Sequence, residues 1–424
     1  MGRNSKARRD ARKRKQARQE HGSRRPTRSP FGLGEEFTVD PVAVADLRVV
    51  AQVRALGPRG SEGEARSRAT SLRRERLPSG ALEQAVTELL ARVLAPALRG
   101  GWSPVELAEA VDRIIGEGHR AVAAGLVLAV GHVTGGHGAA WAAETSALGQ
   151  PRQLALGDDG DLALALRLAA LVAALPTAEV PAHRPVSEPT PIGSRASAKL
   201  AQVRALLAKA EASTFPEESE ALSAKAQELI SRYSLEQLLH LGNEHGGDRS
   251  TTYRRVWLDA PYVDAKATLV DEVAGANRCR SVYDARLGVC TVVGSPFDLD
   301  AVELMVTSLL AQAHRAMLAH GSRSDPAGRS RTRSFRQSFL LSFAVHIGQR
   351  LRRVTDESVT AAAAPSLLPA IRDHEVEVDE LTARMFPHLV EKSTSITNHE
   401  GWAGGRAAAE LAQLNLFDEV RADA

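Results

Sequence analysis

Between Pro176 and Gly193 the chain reads PTAEVPAHRPVSEPTPIG, five prolines in eighteen residues. Each proline fixes its own φ, lacks an amide donor and pushes the residue before it out of helical geometry. Neither a long helix nor an interior strand passes through such a stretch. The spacing predicts an extended, semi-rigid linker over residues 176–195. The chain therefore folds as separate units, and 424 residues leave each side enough length to bury a core of its own.

Aromatic residues make up only 4% of the chain, so these cores rest on Leu, Val and Ala, which favours helix packing over a large sandwich. On the N-terminal side, residues 41–175 read as a helical domain. A first helix fits Val42–Val53, and GPRGSEGEARSR (Gly57–Arg68) reads as a flexible break. Ala81–Leu98 carries the 3.6-residue apolar period. Ser103, Pro104 and Glu106 then spell a capping box with proline in the first turn.

The charge is unevenly distributed. Residues 1–31 hold 12 Lys+Arg against 2 Asp+Glu, leaving 42 basic against 49 acidic residues in the rest. A basic arm over residues 1–40, with nothing to bury and like charges repelling, reads as disordered. It has no apolar run, so it is not a signal peptide. The longest apolar segment, Ala121–Val133, is too short for a membrane helix and is broken by Gly125 and Gly131. Two cysteines suit a reducing compartment, and a cytoplasmic protein without membrane contact is the expectation. Arginine and alanine are abundant, as in a high-GC bacterial genome.

After the linker, residues 196–240 read as an amphipathic helical hairpin. Leu200, Val203, Leu207 and Ala210 share one face of its first helix, and Leu222, Ala226, Leu229, Ile230 and Tyr233 share one of its second. Thr214 and Glu217 have the spacing of a capping box, and Pro216 places the break at Phe215. A second apolar edge, including Leu206, needs a neighbour to bury it. Lys199–Ala210, the polar turn Ser213–Glu218, and Glu220–Ile230 with its Ala226-Gln227-Glu228-Leu229 core form one ordered pattern. In this pattern the segment resembles the bacterial and phage family called domain of unknown function 2786. The resemblance extends loosely into the region that follows, where Val289–Gly294 and Ser334–Leu351 occupy the places of a family strand and helix. It implies an architecture and brings no catalytic residues across.

Residues 250–424 read as an α+β domain. Thr251–Ala260 is a strand, Tyr262–Ala276 a helix, Arg278–Gly294 two strands around a tight turn, and three further helices follow. The fold class expected is mainly α with a C-terminal α+β domain: a helical N-terminal domain, an αα-hairpin and a small mixed sheet covered by helices. Centring the turn on Asp284-Ala285 makes Cys279 and Cys290 cross-strand neighbours.

Arg8, Arg9, Arg12, Lys13, Arg14, Lys15 and Arg18 in the arm have the charge density to neutralise nucleic-acid phosphates without reading sequence. Arg331, Arg333 and Arg336 stand at a predicted helix start, where anions are favoured. Phe335, Phe339 and Phe343 recur every four residues as a core stripe. His132 and His137, and His314 and His320, lack the further ligands a zinc site needs, so no metal and no cofactor is expected. Gly294–Asp300, GSPFDLD, lacks the phosphate-loop pattern and reads as a turn capped by Ser295.

The expectation is thus a non-enzymatic interaction module with sequence-independent nucleic-acid contacts through the arm and a protein partner at the hairpin. The alternative is an enzyme acting on a phosphate-containing substrate in the C-terminal domain. A deep pocket lined by Asp298, Asp300, His314, His346 or the Arg331–Arg336 group would favour that alternative, and their dispersal over a convex surface would favour the binder.

Overall fold

A computed structural model describes residues 40–75, 77–78, 80–134, 139–176, 194–243, 251–319, 321, 330–362, 364–390 and 399–410. The arm and the proline-rich stretch beyond Pro176 lie outside the described residues. Fourteen helices and a three-stranded sheet are present among those described, a mainly α protein with a C-terminal α+β region. No described helix is long and apolar enough to cross a membrane.

The first seven helices are α1 (Pro41–Leu56), α2 (Glu62–Arg74), α3 (Ala81–Arg99), α4 (Pro104–Ile115), α5 (Arg120–Thr134), α6 (Ala139–Ala147) and α7 (Asp159–Ala173). They share one core. The flexible break expected over Gly57–Arg68 is instead a short turn followed by α2. Ser61 accepts from the Glu64 amide while the Glu64 carboxylate accepts from the Ser61 amide, a capping box that starts the helix there. The predicted Ser103–Glu106 box opens α4 in the same way.

The hairpin helices are α8 (Ser194–Ala212) and α9 (Pro216–Asn243). Its turn is capped differently from the expected Thr214–Glu217 box. The Ser213 hydroxyl accepts from the Phe215 amide at 3.1 Å and donates to Glu218 at 2.7 Å, so Ser213 rather than Thr214 holds the turn. Ser219 then donates to the Ala210 carbonyl across the turn at 2.7 Å.

The remaining elements are β1 (Thr252–Trp257), α10 (Val263–Ala276), β2 (Arg280–Asp284), β3 (Val289–Gly294), α11 (Pro296–Ala319), α12 (Thr332–Ala362), α13 (Leu367–Met385) and α14 (His399–Glu410). The sheet order is β1-β3-β2 and every pairing is antiparallel, where the sequence reading has a mixed sheet. The hairpin register also differs from expectation: Cys290 pairs with Tyr283, and Cys279 lies outside β2. The turn is longer than two residues. The Gly288 amide donates to the Asp284 carbonyl at 2.9 Å, and Gly288 takes the left-handed φ of +68° that closes it. The cysteines are therefore not cross-strand neighbours.

Strand alternation gives the sheet two different faces. Val256, Cys290 and Val292 join the second core, built from the hairpin and α10–α12. On the opposite face, Trp257 and Val289 join the core of the N-terminal bundle, while Tyr253 and Val293 pack beneath α13. Arg255 pins the bundle to this face. Its guanidinium pairs with Glu106 at 2.7 Å, donates to the Gly101 carbonyl at 2.9 Å, and lies 3.8 Å from the Trp102 ring centroid. The Tyr253 hydroxyl donates to the same Gly101 carbonyl at 2.8 Å.

Candidate functional site

The hairpin's buried face has a polar seam beside its apolar one. Ser219, Ser223, Gln227 and Ser231 recur every four residues, one helical turn apart, and all are buried. Ser219, whose hydroxyl donates to Ala210, lies 3.0 Å from the Gln312 side-chain oxygen, and the Gln312 amide donates to Ser223 at 3.1 Å, tying α9 to α11. The Gln227 amide donates to Asn277 at 3.0 Å and to Thr355 at 3.1 Å, and Ser231 meets Thr355 at 3.1 Å. Asn277 and Thr355 spend their remaining donors on the Val273 and Ala276 carbonyls. The seam therefore clamps α9 to the end of α10 and to α12. The apolar reading of the hairpin missed it, although the four-residue spacing of these side chains was its signal.

One turn further, Ser234 accepts from Arg278 Nη2 at 2.8 Å, and here the satisfied network stops. Arg278 follows α10 with φ at +56°, a left-handed conformation uncommon for a side-chain-bearing residue. Its Nε and Nη1 are buried without hydrogen-bond partners. Asp298 stands in the first turn of α11. Its amide donates to Ser295 at 3.2 Å and its Oδ2 accepts from the Ser295 hydroxyl at 2.7 Å, confirming Ser295 as the cap of this turn. Asp298 Oδ1 and His374 Nε2, from α13, are likewise buried and unpartnered.

These groups sense one another. Burial holds His374 below the ordinary imidazole value, and Asp298 opposes that shift while Arg278 adds to it. Burial also raises the Cys279 thiol well above its usual value, with Asp298 reinforcing the rise and Arg278 opposing it. Cys279 sits against Gly294, where an added Cβ would stand 2.4 Å from its Sγ. The junction thus gathers an acid, an imidazole, a guanidinium and a protonated thiol. A thiol held in its neutral form is a poor nucleophile. No group of three or more His, Cys, Asp or Glu among the described residues is arranged to hold a metal ion.

The residues singled out by sequence are scattered. The seven basic residues of the arm lie outside the described residues. Arg331 and Arg333 are exposed at the start of α12, and Arg336 is half-buried with its Nε unpartnered. Asp300 pairs with Arg254 at 2.5 Å on α11. His314 is exposed, and His346 Nδ1 bonds the Ser342 carbonyl at 2.7 Å while its ring meets the edge of Trp402. Phe335, Phe339 and Phe343 are buried as the core stripe. Of the expected pocket residues, only Asp298 belongs to the buried junction. Arg278 and His374 were not among those expected.

The comparisons fall on the hairpin. Residues 198–237 match the family described as Protein of unknown function (DUF2786). The matched segment is α8 with most of α9, and it contains every residue of the polar seam. The chain finds no match among curated proteins or solved structures.

Proposed function

We propose that this protein is an interaction module that contacts nucleic acid without reading its sequence, through the basic arm. The observation that carries the reading is the charge distribution: twelve basic and two acidic residues in the first 31, attached to a body with seven more acidic than basic residues. Arg8, Arg9, Arg12, Lys13, Arg14, Lys15 and Arg18 supply the phosphate contacts. Arg331 and Arg333, exposed at the start of α12, add a second basic point. The scattering of Asp300, His314, His346 and the α12 arginines supports a binder over an enzyme acting on a phosphate-containing substrate. A groove of about 610 Å³ between α9 and α12, lined by Leu235, Leu239, Val354 and Ala361 among others, gives the hairpin an open surface for a protein partner.

Fluorescence anisotropy with labelled duplex and single-stranded oligonucleotides tests the reading. Seven phosphate contacts on duplex DNA correspond to a slope of about −6 in log K against log salt concentration. Removing residues 1–30 abolishes most of the affinity. Full-length protein that binds neither DNA nor RNA at low salt overturns the proposal.

A further inference from the structure

Helix α13 turns Leu367, Ala370, His374, Val378, Leu381, Thr382 and Met385 inward. Five of these seven side chains are apolar and Thr382 returns its hydroxyl to the Val378 carbonyl at 2.7 Å, so an apolar residue at position 374 would complete the seam. The chain places a histidine there, buried opposite Asp298 and Arg278. Beneath the C-terminal half of α13 lies a small core of its own, made with Tyr253 and Val293 and separate from the two larger ones. The ion pair that ties its outer side, Asp379 with Arg280, is more than half exposed, and such pairs hold little. In the middle of the interface Asp298 Oδ1, His374 Nε2 and two nitrogens of Arg278 make no hydrogen bond. Each would regain water if α13 lifted, so their burial works against closure.

We propose that α13 is a proton-released flap: it closes over Arg278, Cys279 and Asp298 when His374 is neutral, and lifts to bare Tyr253 and Val293 when His374 is charged. The groups acting on the imidazole are Asp298 from α11, Arg278 from the α10–β2 turn, and Glu375 and Glu377 on α13 itself. The three carboxylates favour the charged ring, whereas burial and Arg278 disfavour it, with burial the largest effect. The closed state therefore binds fewer protons at this site than the open one. Acidification below the ordinary imidazole range shifts the balance toward opening.

Hydrogen–deuterium exchange of the full chain at about pH 7.5 and about pH 5.5, corrected for intrinsic exchange, tests this. Amides of residues 367–385 should exchange about threefold faster or more at the lower pH, while those of α10 stay protected. His374→Leu and His374→Gln each remove the proton-binding group and should erase the pH difference in α13. His374→Gln keeps a polar side chain and so covers the case in which His374→Leu misfolds. Equal protection of α13 at both pH values, loss of protection in α13 and α10 together, or a pH response that survives in His374→Gln overturns the proposal.

Discussion

The Gln227 side-chain amide donates to Asn277 Oδ1 at 3.0 Å, and neither residue exposes any surface to solvent. Gln227 lies within the segment that matches the family of unknown function, and Asn277 lies outside it. The bond therefore joins the recurrent hairpin to the domain that follows it. Removing Gln227 takes the donor from the Asn277 side-chain oxygen, leaves Thr355 with only Ser231 and the Ala276 carbonyl, and opens a cavity. Gln227→Ala should destabilise the protein by about 2–4 kcal/mol. Glu228→Ala, one residue on and partly exposed, should stay within about 0.5 kcal/mol. Urea denaturation midpoints of the two variants check the contrast, and equal midpoints would remove the clamp from the account.

Arg255 gives the same kind of prediction at the other junction. Its guanidinium, with 2% of the side chain exposed, pairs with Glu106, which also completes the cap of α4. Arg255→Ala leaves the buried Glu106 carboxylate without its counter-charge and the Gly101 carbonyl with Tyr253 alone as donor, at a cost of about 3–5 kcal/mol. Glu106→Gln should cost less, about 1–3 kcal/mol, because the amide still accepts a hydrogen bond. The double variant should fall well short of the sum, and a double-mutant cycle from chemical denaturation measures the difference. Additive losses would mean that the two side chains act independently.

Local signals made most of the helices and strands legible. Ser103–Glu106 spells the start of α4, Pro216 the break of the hairpin, and the 3.6-residue period the body of α3. Two local signals were passed over: Ser61–Glu64, hidden in a glycine-rich stretch, and Gly288, whose left-handed φ lengthens the turn and moves the strand register. Helix α13 escaped for a different reason. His374 interrupts its apolar stripe, and the run Glu375 to Glu380 has the look of a solvated segment. The meeting of Arg278, Asp298 and His374 is tertiary, made where the α10–β2 turn, the first turn of α11 and α13 come together, and no spacing along the chain encodes it.

Alkaline pH should weaken the fold through buried protonated groups. Burial raises the Cys290 thiol to about 12, and Cys279 is also raised well above its usual value. Tyr253 is lifted to about 12 by burial, opposed by Arg255. Each group holds its proton in the folded state at pH values where the unfolded chain releases it. The stability it contributes is complete below the unfolded value, near 8.5 for a thiol and near 10 for a phenol, and is lost as pH rises toward the folded one. Denaturation midpoints should fall progressively from about pH 8.5 upward. Cys279→Ala with Cys290→Ala should flatten the first part of that fall, and an unchanged profile would assign it to other groups.

Gly294 tests the packing at the junction most directly. An alanine there would place its Cβ 2.4 Å from Cys279 Sγ, well inside contact distance, and the neighbouring atoms are backbone and the short cysteine stem. Gly294 ends β3 immediately before the Ser295 cap, so a shift to relieve the clash would also disturb the first turn of α11 and the position of Asp298. Gly294→Ala should therefore destabilise by about 1–3 kcal/mol. Removing the sulfur relieves the overlap, so Gly294→Ala with Cys279→Ala should be more stable than Gly294→Ala alone, even though Cys279→Ala by itself leaves a small void. Thermal denaturation of the three variants gives the sign of the coupling. A double variant less stable than either single one would show that the glycine is required for its backbone and not for the thiol it accommodates.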